Sequence, residues 1–509
     1  MSKSFLKSSG IVTAMTLLSR ILGLVRDFII AKYFGANGLS DAFLVAFRIP
    51  NFFRRLFAEG AFSQAFIPIL ADSKAKQSDD ELQEVINHIA TKLLSILIFI
   101  TIVVVILAPL VMFIFAWGFY FKADQSQYFL ASDMLRITFP YLLLISLTAL
   151  SGAILNTYDN FSVPAFTPVL LNVSLILSAI YLSNYLDTPI MALAWGVLIG
   201  GVAQLLFQIP FLRKIQRLPK LRFGSHPAIK TLKKRMLPAL FGVSVSQINL
   251  LIDTMIASTL IAGSVSWLYY SDRLLELPLA LIGIALATVA LAKLSNYFAK
   301  NDSISFSRTI DKALIYGLIL GLPASIGLVM LSDDLIITLF QYDAFNANDA
   351  FQASLSLQAY GSGLLAFIAV KILAPVFLSR GDTKTPVKAG VAAMVSNIVL
   401  NLILAYYYGH DGLAAATSLS AVLNAGLLYY FLTKQSIFRL NAAFYKMLIK
   451  VGLSSIIMLG YIYITSPATE QYLQADAVHR VIMLSETILI SAGIYFVSLY
   501  LLGARPKQL

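Results

Sequence analysis

The chain contains no cysteine in 509 residues, which excludes disulfides and thiolate metal sites. Its four histidines, His88, His226, His410 and His479, are scattered without ligand spacing. Charge is scarce: 13% of residues are Asp, Glu, Lys or Arg, against about 25% in an ordinary soluble domain. No Ser/His/Asp constellation stands out, and no GxxxxGK[ST] phosphate loop occurs, so an enzyme or an ATP-driven pump is not expected, nor is a resident cofactor. What is abundant is apolar: 58% of the chain is hydrophobic and the mean hydropathy is +0.79. The sequence therefore describes an all-α polytopic membrane protein. β-Barrel strands are shorter and alternate, and these runs do not.

A helix needs about 20 apolar residues to cross a bilayer. Fourteen stretches qualify: 9–34, 40–67, 89–118, 129–157, 161–184, 189–212, 235–261, 265–298, 310–331, 350–378, 385–408, 411–433, 444–465 and 480–503. The basic start MSKSFLKSSG leads into a run that contains Arg20 and Arg26 and has no small-residue cleavage site before them. It reads as a retained first helix, not a signal peptide.

The net charge of +12 would suit nucleic acid, but its distribution points elsewhere. Arg213 to Arg235 holds nine Lys/Arg and no acid. Arg380, Lys384 and Lys388, then Lys434, Arg439, Lys446 and Lys450, fall on the same side of a fourteen-span arrangement. Asp124, Asp187, Asp333, Asp334, Asp343 and Asp349 fall on the other. The positive-inside rule then puts both termini in the cytoplasm and the loop at about 332–350 outside.

Two segment pairs recur at nearly the same offset. LNTYDNFSVP (Leu155 to Pro164) corresponds to FLSRGDTKTP (Phe377 to Pro386), 222 residues on. AFSQAFIPIL (Ala61 to Leu70) corresponds to ALATVALAKL (Ala285 to Leu294), 224 residues on. This implies an N-terminal six-helix half over 1–215, a basic cytoplasmic linker over 216–235, a C-terminal six-helix half over 236–435, and two extra helices over 436–509. Transporters are commonly built from such repeats, with substrate handled at the repeat interface.

Cations interrupt the first two apolar stretches: Arg20 and Arg26 in SRILGLVRD (Ser19 to Asp27), then Arg48, Arg54 and Arg55 in FRIPNFFRRLFAEG. A charge at the bilayer centre costs roughly 3 kcal/mol or more. At 100° per residue, Asp41, Arg48, Asn51, Arg55 and Glu59 lie within about 80° of one another, with Arg54 about 100° away. Arg273 and Glu276 share a polar face in SVSWLYYSDRLLELP, and Lys371 sits in the tenth stretch. Internal ion pairs, Arg55 with Glu59 or Arg20 with Asp27, and snorkelling of Arg48 and Arg54, are the structural alternatives. Bases nevertheless outnumber acids in this set, and the surplus suits an anionic ligand such as phosphate.

These segments resemble one family. SRILGLVRD, DAFLVAFRIPNFFRRLFAEGAFSQAFIPIL, FPYLLLISLTALSGAILNT, GVSVSQINLLIDT, SWLYYSDRLLELP and KILAPVFLSRGDTKTPVK are similar to the MviN/MurJ lipid II flippases of the multidrug/oligosaccharidyl-lipid/polysaccharide (MOP) exporter superfamily. The resemblance covers nearly the whole chain. It implies a transporter of the bacterial cytoplasmic membrane that flips lipid II, the undecaprenyl-diphosphate-linked muropeptide, to the outer leaflet by alternating access through a central cationic cavity. The family's essential arginines then correspond to Arg20, Arg26, Arg54 and Arg273, and its acidic second-helix residue to Asp41. Ser19, Asp27, Arg48, Asn51, Arg55, Glu59, Glu276 and Lys371 complete the expected substrate-binding set. The two extra helices are expected to form a groove for the isoprenoid tail. One departure is Ala292, where the family often has a proline matching Pro68. The other readings are a flippase for another isoprenoid-linked oligosaccharide, a cation-coupled drug exporter, and a non-transport scaffold or receptor. A functional monomer is expected, in contact with membrane lipids and associating with the cell-wall synthesis machinery. For coupling, Asp253 inside the seventh stretch, with Asn397, Asn401 and Thr417, offers hard oxygen ligands suited to Na⁺. The alternative is that Asp253 is protonated or pairs with Lys371, and that the membrane potential drives the cycle. One charge moved through 100 mV is worth roughly 2.3 kcal/mol.

Overall fold

The computed structural model describes residues 3–465 and 469–504, with the backbone alone at 3–9, 57–59, 239, 241–246 and 469–470. Helices occupy every one of the expected stretches. In chain order they are α1 (Lys3–Phe34), α2 (Gly38–Phe53, continued by Arg54–Phe62 and Ser63–Lys76), α3 (Asp79–Ile106), α4 (Ser126–Thr157), α5 (Ser162–Ile180), α6 (Met191–Lys214) and α7 (Pro227–Ala257). Then follow α8 (Ser264–Ala299), α9 (Ser303–Met330), α10 (Ala347–Ser362 and Leu364–Leu378), α11 (384–408), α12 (410–434), α13 (Ala442–Thr465) and α14 (Ala477–Leu501). Among the described residues, nine helices are long and apolar enough to cross a membrane, ten if α10 is one span bent by 41°. One of the nine, Lys384–Lys434, has 51 residues, about 76 Å of helix against a core of about 30 Å. It turns back at Gly409, whose φ of 61° and ψ of −134° are not helical, and so supplies both α11 and α12. The remaining rods, α1, α2 and α7, carry Arg20, Arg48 and Asp253. This is consistent with fourteen spans.

The repeat extends through the elements. α3 starts at Asp79 behind a capping Ser78, and α9 at Ser303 behind a capping Asp302. Both break at a leucine of the same conformation, Leu107 (φ −93°, ψ 20°) and Leu331 (φ −104°, ψ 20°), before short helices Ala108–Phe115 and Ser332–Phe340. α2 and α8 each contain a π-helical insert, Arg54–Phe62 and Leu279–Ile284. A cation–π pair recurs with its partners exchanged: Lys74 over Tyr158 at 4.1 Å, and Arg380 over Phe298 at 5.4 Å.

Packing divides the chain differently, into Met1–Val265 and Ser266–Leu509. α7 falls with the first unit because its far end is tied there. Ser258 Oγ accepts from the Gly118 N–H (3.1 Å), and the Met255 carbonyl accepts from Trp117 Nε1 (3.3 Å). A Cβ on Gly118 would lie 2.3 Å from the Ser258 backbone, so only glycine permits this approach. The expected linker at 216–235 is also shorter than anticipated. α7 begins at Pro227, capped by the His226 ring, so Lys230, Lys233, Lys234 and Arg235 lie on a helix.

In the second unit, α13 and α14 pack on α9 through Leu318, Ile319, Val451, Met458, Tyr495 and Leu499. The Tyr495 hydroxyl donates to the Ile319 carbonyl at 2.7 Å. The bend in α10 is filled by Ser418 of α12, whose hydroxyl donates to the freed carbonyl of Ala359 at 2.7 Å, as broken membrane helices require.

Candidate functional site

In the first unit, α1 presents two arginines with opposite fates. Arg20 is exposed and has no hydrogen-bond or ion-pair partner among the described residues. Arg26 is buried: Nε and Nη2 donate to Asp27 Oδ1 (3.0 and 2.6 Å), and Nη1 donates to Asn172 Oδ1 of α5 (3.0 Å). Asn172 in turn donates to the Ser19 carbonyl at 3.1 Å. Asp27 and Ser19 thus help fasten α1 to α5, with Arg26 at the centre of that joint.

On α2, Asp41 is 1% exposed, and its Oδ2 accepts the Gly263 N–H at 2.7 Å. Its neighbour Lys122 lies in the connection before α4. Burial pulls that ammonium below the ordinary lysine range, and the Asp41 carboxylate opposes the shift. Arg48 Nη1 donates to Thr254 Oγ1 of α7 at 2.6 Å. Arg54 Nε donates to Asn51 Oδ1 at 3.1 Å.

The continuous polar face expected along α2 assumed an α-helical 100° per residue. That assumption fails from Arg54 to Phe62, where the chain is π-helical. Pro50 has no N–H, which leaves the Ala46 carbonyl to accept from Thr138 Oγ1 (3.1 Å), and the Arg54 N–H is shared between the Pro50 and Asn51 carbonyls. The wider turn changes the angular phase along this stretch, so the 100° spacing no longer places its residues on the face of Asp41, Arg48 and Asn51. Arg55 is exposed; the side chain of Glu59 lies outside the described residues. π-Bulges occur frequently at functional sites, and this one begins on adjacent arginines.

In the second unit, Arg273 lies with its guanidinium 5.0 Å from the Tyr269 ring centre; Nη2 donates to the Tyr269 hydroxyl (3.1 Å) and Nη1 to Glu276 Oε2 (3.1 Å). Lys371 is exposed and without a partner among the described residues. Its stem runs along the second π insert: a Cβ on Gly283 would lie 3.5 Å from Lys371 Cγ. Each unit therefore sets a cation on or against a π-helical turn. Neither insert was expected from the sequence; the signals were Pro50 and Gly60 in one, Pro278 and Gly283 in the other.

The possible cation ligands are partly assembled. Asn401 Nδ2 donates to Asn397 Oδ1 (3.0 Å), and Asn397 Nδ2 donates to Thr417 Oγ1 (3.5 Å), both asparagines being fully buried. These three belong to the second unit and Asp253 to the first.

A chain of two six-helix repeats with two helices appended, carrying cations on its membrane helices, has the architecture of a transporter. The fold agrees with a solved inward-facing multidrug resistance MATE transporter of the MOP superfamily (TM-score 0.69, 14% identity, 87% of this chain and 99% of that one). The family model described as "Lipid II flippase MurJ" matches residues 30–483, and the chain belongs to that family. It is 46% identical to the "Probable lipid II flippase MurJ" of Vibrio cholerae, covering 100% of this chain and 98% of the relative. A solved structure, "Lipid II flippase MurJ, inward closed conformation", superposes with a TM-score of 0.81 at 30% identity, covering 96% and 97%. The family makes the chain an integral inner-membrane transporter and not an enzyme.

Proposed function

We propose that this chain flips lipid II from the cytoplasmic to the periplasmic leaflet by alternating access. Arg20 carries the reading: a guanidinium stands in the middle of a membrane helix with nothing among the described residues to neutralise it. A diphosphate offers the planar, multiply accepting partner that arginine recognises best. Arg54, Arg273 and Lys371 add cationic donors for the same head group, and the tail remains in lipid beside α13 and α14. The test is depletion of the protein in cells, followed by extraction of lipid-linked precursors. Lipid II should accumulate on the inner leaflet; accumulation of a different isoprenoid-linked oligosaccharide would replace lipid II as the cargo.

Both termini are assigned to the cytoplasm and the turn around Asn346 to the outside, from the charge bias of the loops. The cysteine-free chain makes this checkable. Asn346→Cys should react with an impermeant maleimide in intact cells; reaction only after permeabilisation reverses the topology. The chain is proposed to act as a monomer that associates with the cell-wall synthesis machinery.

For coupling, Na⁺ bound by Asp253 with Asn397, Asn401 and Thr417 is one route, and the membrane potential the other. Contact among the last three supports the first. In vesicles with the potential clamped, a Na⁺ gradient should then accelerate flipping, and Asp253→Asn should remove the acceleration. Indifference to Na⁺ together with full activity of Asp253→Asn rejects the cation site.

A further inference from the structure

Helix α14 carries an acid where lipid is expected. Its buried face includes Arg480, Leu484, Thr487, Ser491, Tyr495 and Ser498. At 100° per residue Glu486 falls on the far side, within about 60° of Ile482, Leu489 and Gly493. All four are exposed. Glu486 lies nine residues into a helix of 25, about 14 Å along its axis, inside a hydrocarbon core about 30 Å thick. Its stem is too short to reach the head groups. It has no hydrogen-bond or ion-pair partner among the described residues. The stripe around it contains no base. Gly493 opens a notch beside it, with no atom within 4 Å of a Cβ built there, and such notches let a second helix approach closely.

We propose that this face of α14 docks a transmembrane helix of another protein that presents a lysine or arginine at the depth of Glu486. An intramembrane carboxylate calls for a partner, and no described residue offers one on that face. A second copy joined through the same face would set Glu486 against Glu486, which is repulsive. An isoprenoid tail supplies no donor. The proposal is independent of the cargo.

The full chain, with Val478→Cys carrying a donor fluorophore, is reconstituted in vesicles with either of two acceptor-labelled peptides: an all-leucine transmembrane helix, or the same helix with one central lysine. Energy transfer should show the lysine peptide associating at least tenfold more tightly. Glu486→Leu should abolish the difference, Glu486→Asp should keep most of it, and Gly493→Leu should weaken it. Equal association of the two peptides overturns the proposal, as does a preference that survives Glu486→Leu. Energy transfer between differently labelled copies of the chain, lost in Glu486→Leu, would make the occupant a second copy. Displacement of the lysine peptide by a polyprenyl phosphate, equally from wild type and Glu486→Leu, would make it a lipid tail.

Discussion

Arg20→Ala and Arg273→Ala are each expected to abolish rescue of a depleted strain while leaving the protein folded and inserted. A charge-assisted hydrogen bond contributes about 1.5–3 kcal/mol, so losing one bidentate contact to a diphosphate lowers head-group affinity about tenfold to a hundredfold. For Arg20 the fold loses nothing, because no described residue pairs with it. For Arg273 the fold loses a partly exposed contact to Glu276, worth at most about 1 kcal/mol, together with the hydrogen bond and ring contact to Tyr269. Arg26→Ala should behave differently. It takes the guanidinium away from the buried Asp27 carboxylate, and breaking a buried pair costs about 3–5 kcal/mol, so stability should fall along with transport. Lysine should restore Arg20→Ala only partly, since a point charge lacks the planar fork. Purified variants settle the matter through two readings, the thermal midpoint and lipid II binding. Unchanged binding in both Arg20→Ala and Arg273→Ala removes these residues from the head-group site.

How far the sequence could reach is clearest on α1 and α2. It placed Arg20 and Arg26 in one membrane-spanning stretch, but not which of them is spoken for. That depends on Asn172, 146 residues away, whose amide closes the Arg26–Asp27 pair. It placed Asp41 among the ligand-binding residues by resemblance. The partner it meets is the Gly263 backbone N–H, a group with no side-chain signature. Helical periodicity located the rods because apolar stripes are imposed by lipid and by neighbouring helices. The π inserts escaped because they change the period itself. The repeat was legible from two segment pairs because caps and breaks are local; the packing boundary after α7 was not, because it depends on a close approach at Gly118.

Arg480 had no part in the expected site, yet its replacement should cost the fold about as much as loss of the buried Arg26. It sits in the first turns of α14, where the helix dipole disfavours a cation. That misplacement is the sequence signal that it serves something else. Its guanidinium is buried and donates to the carbonyls of Tyr472 (2.7 Å), Ala475 (3.1 Å), Leu473 (3.2 Å), Gln341 (3.0 Å) and Ile337 (3.5 Å). These carbonyls lie at the C-terminal ends of two short helices, Thr469–Gln474 and Ser332–Phe340. One side chain thus supplies the donors and the positive charge that both ends need, and the Tyr342 ring, 5.4 Å away, covers its face. It is the fastening between the α13–α14 pair and the break after α9. Arg480→Ala leaves several buried carbonyls without donors, at a cost of about 3–5 kcal/mol by analogy with a broken buried pair, or about 3–5 °C in thermal midpoint for a chain of this length. Lysine brings the charge without the fork and should recover less than half. The measurement is the thermal midpoint of the purified protein, with proteolysis of the α13–α14 connection as a second reading. An Arg480→Ala variant that melts within about a degree of wild type, uncut in that connection, would show that the appended helices are held by their apolar contacts with α9 alone.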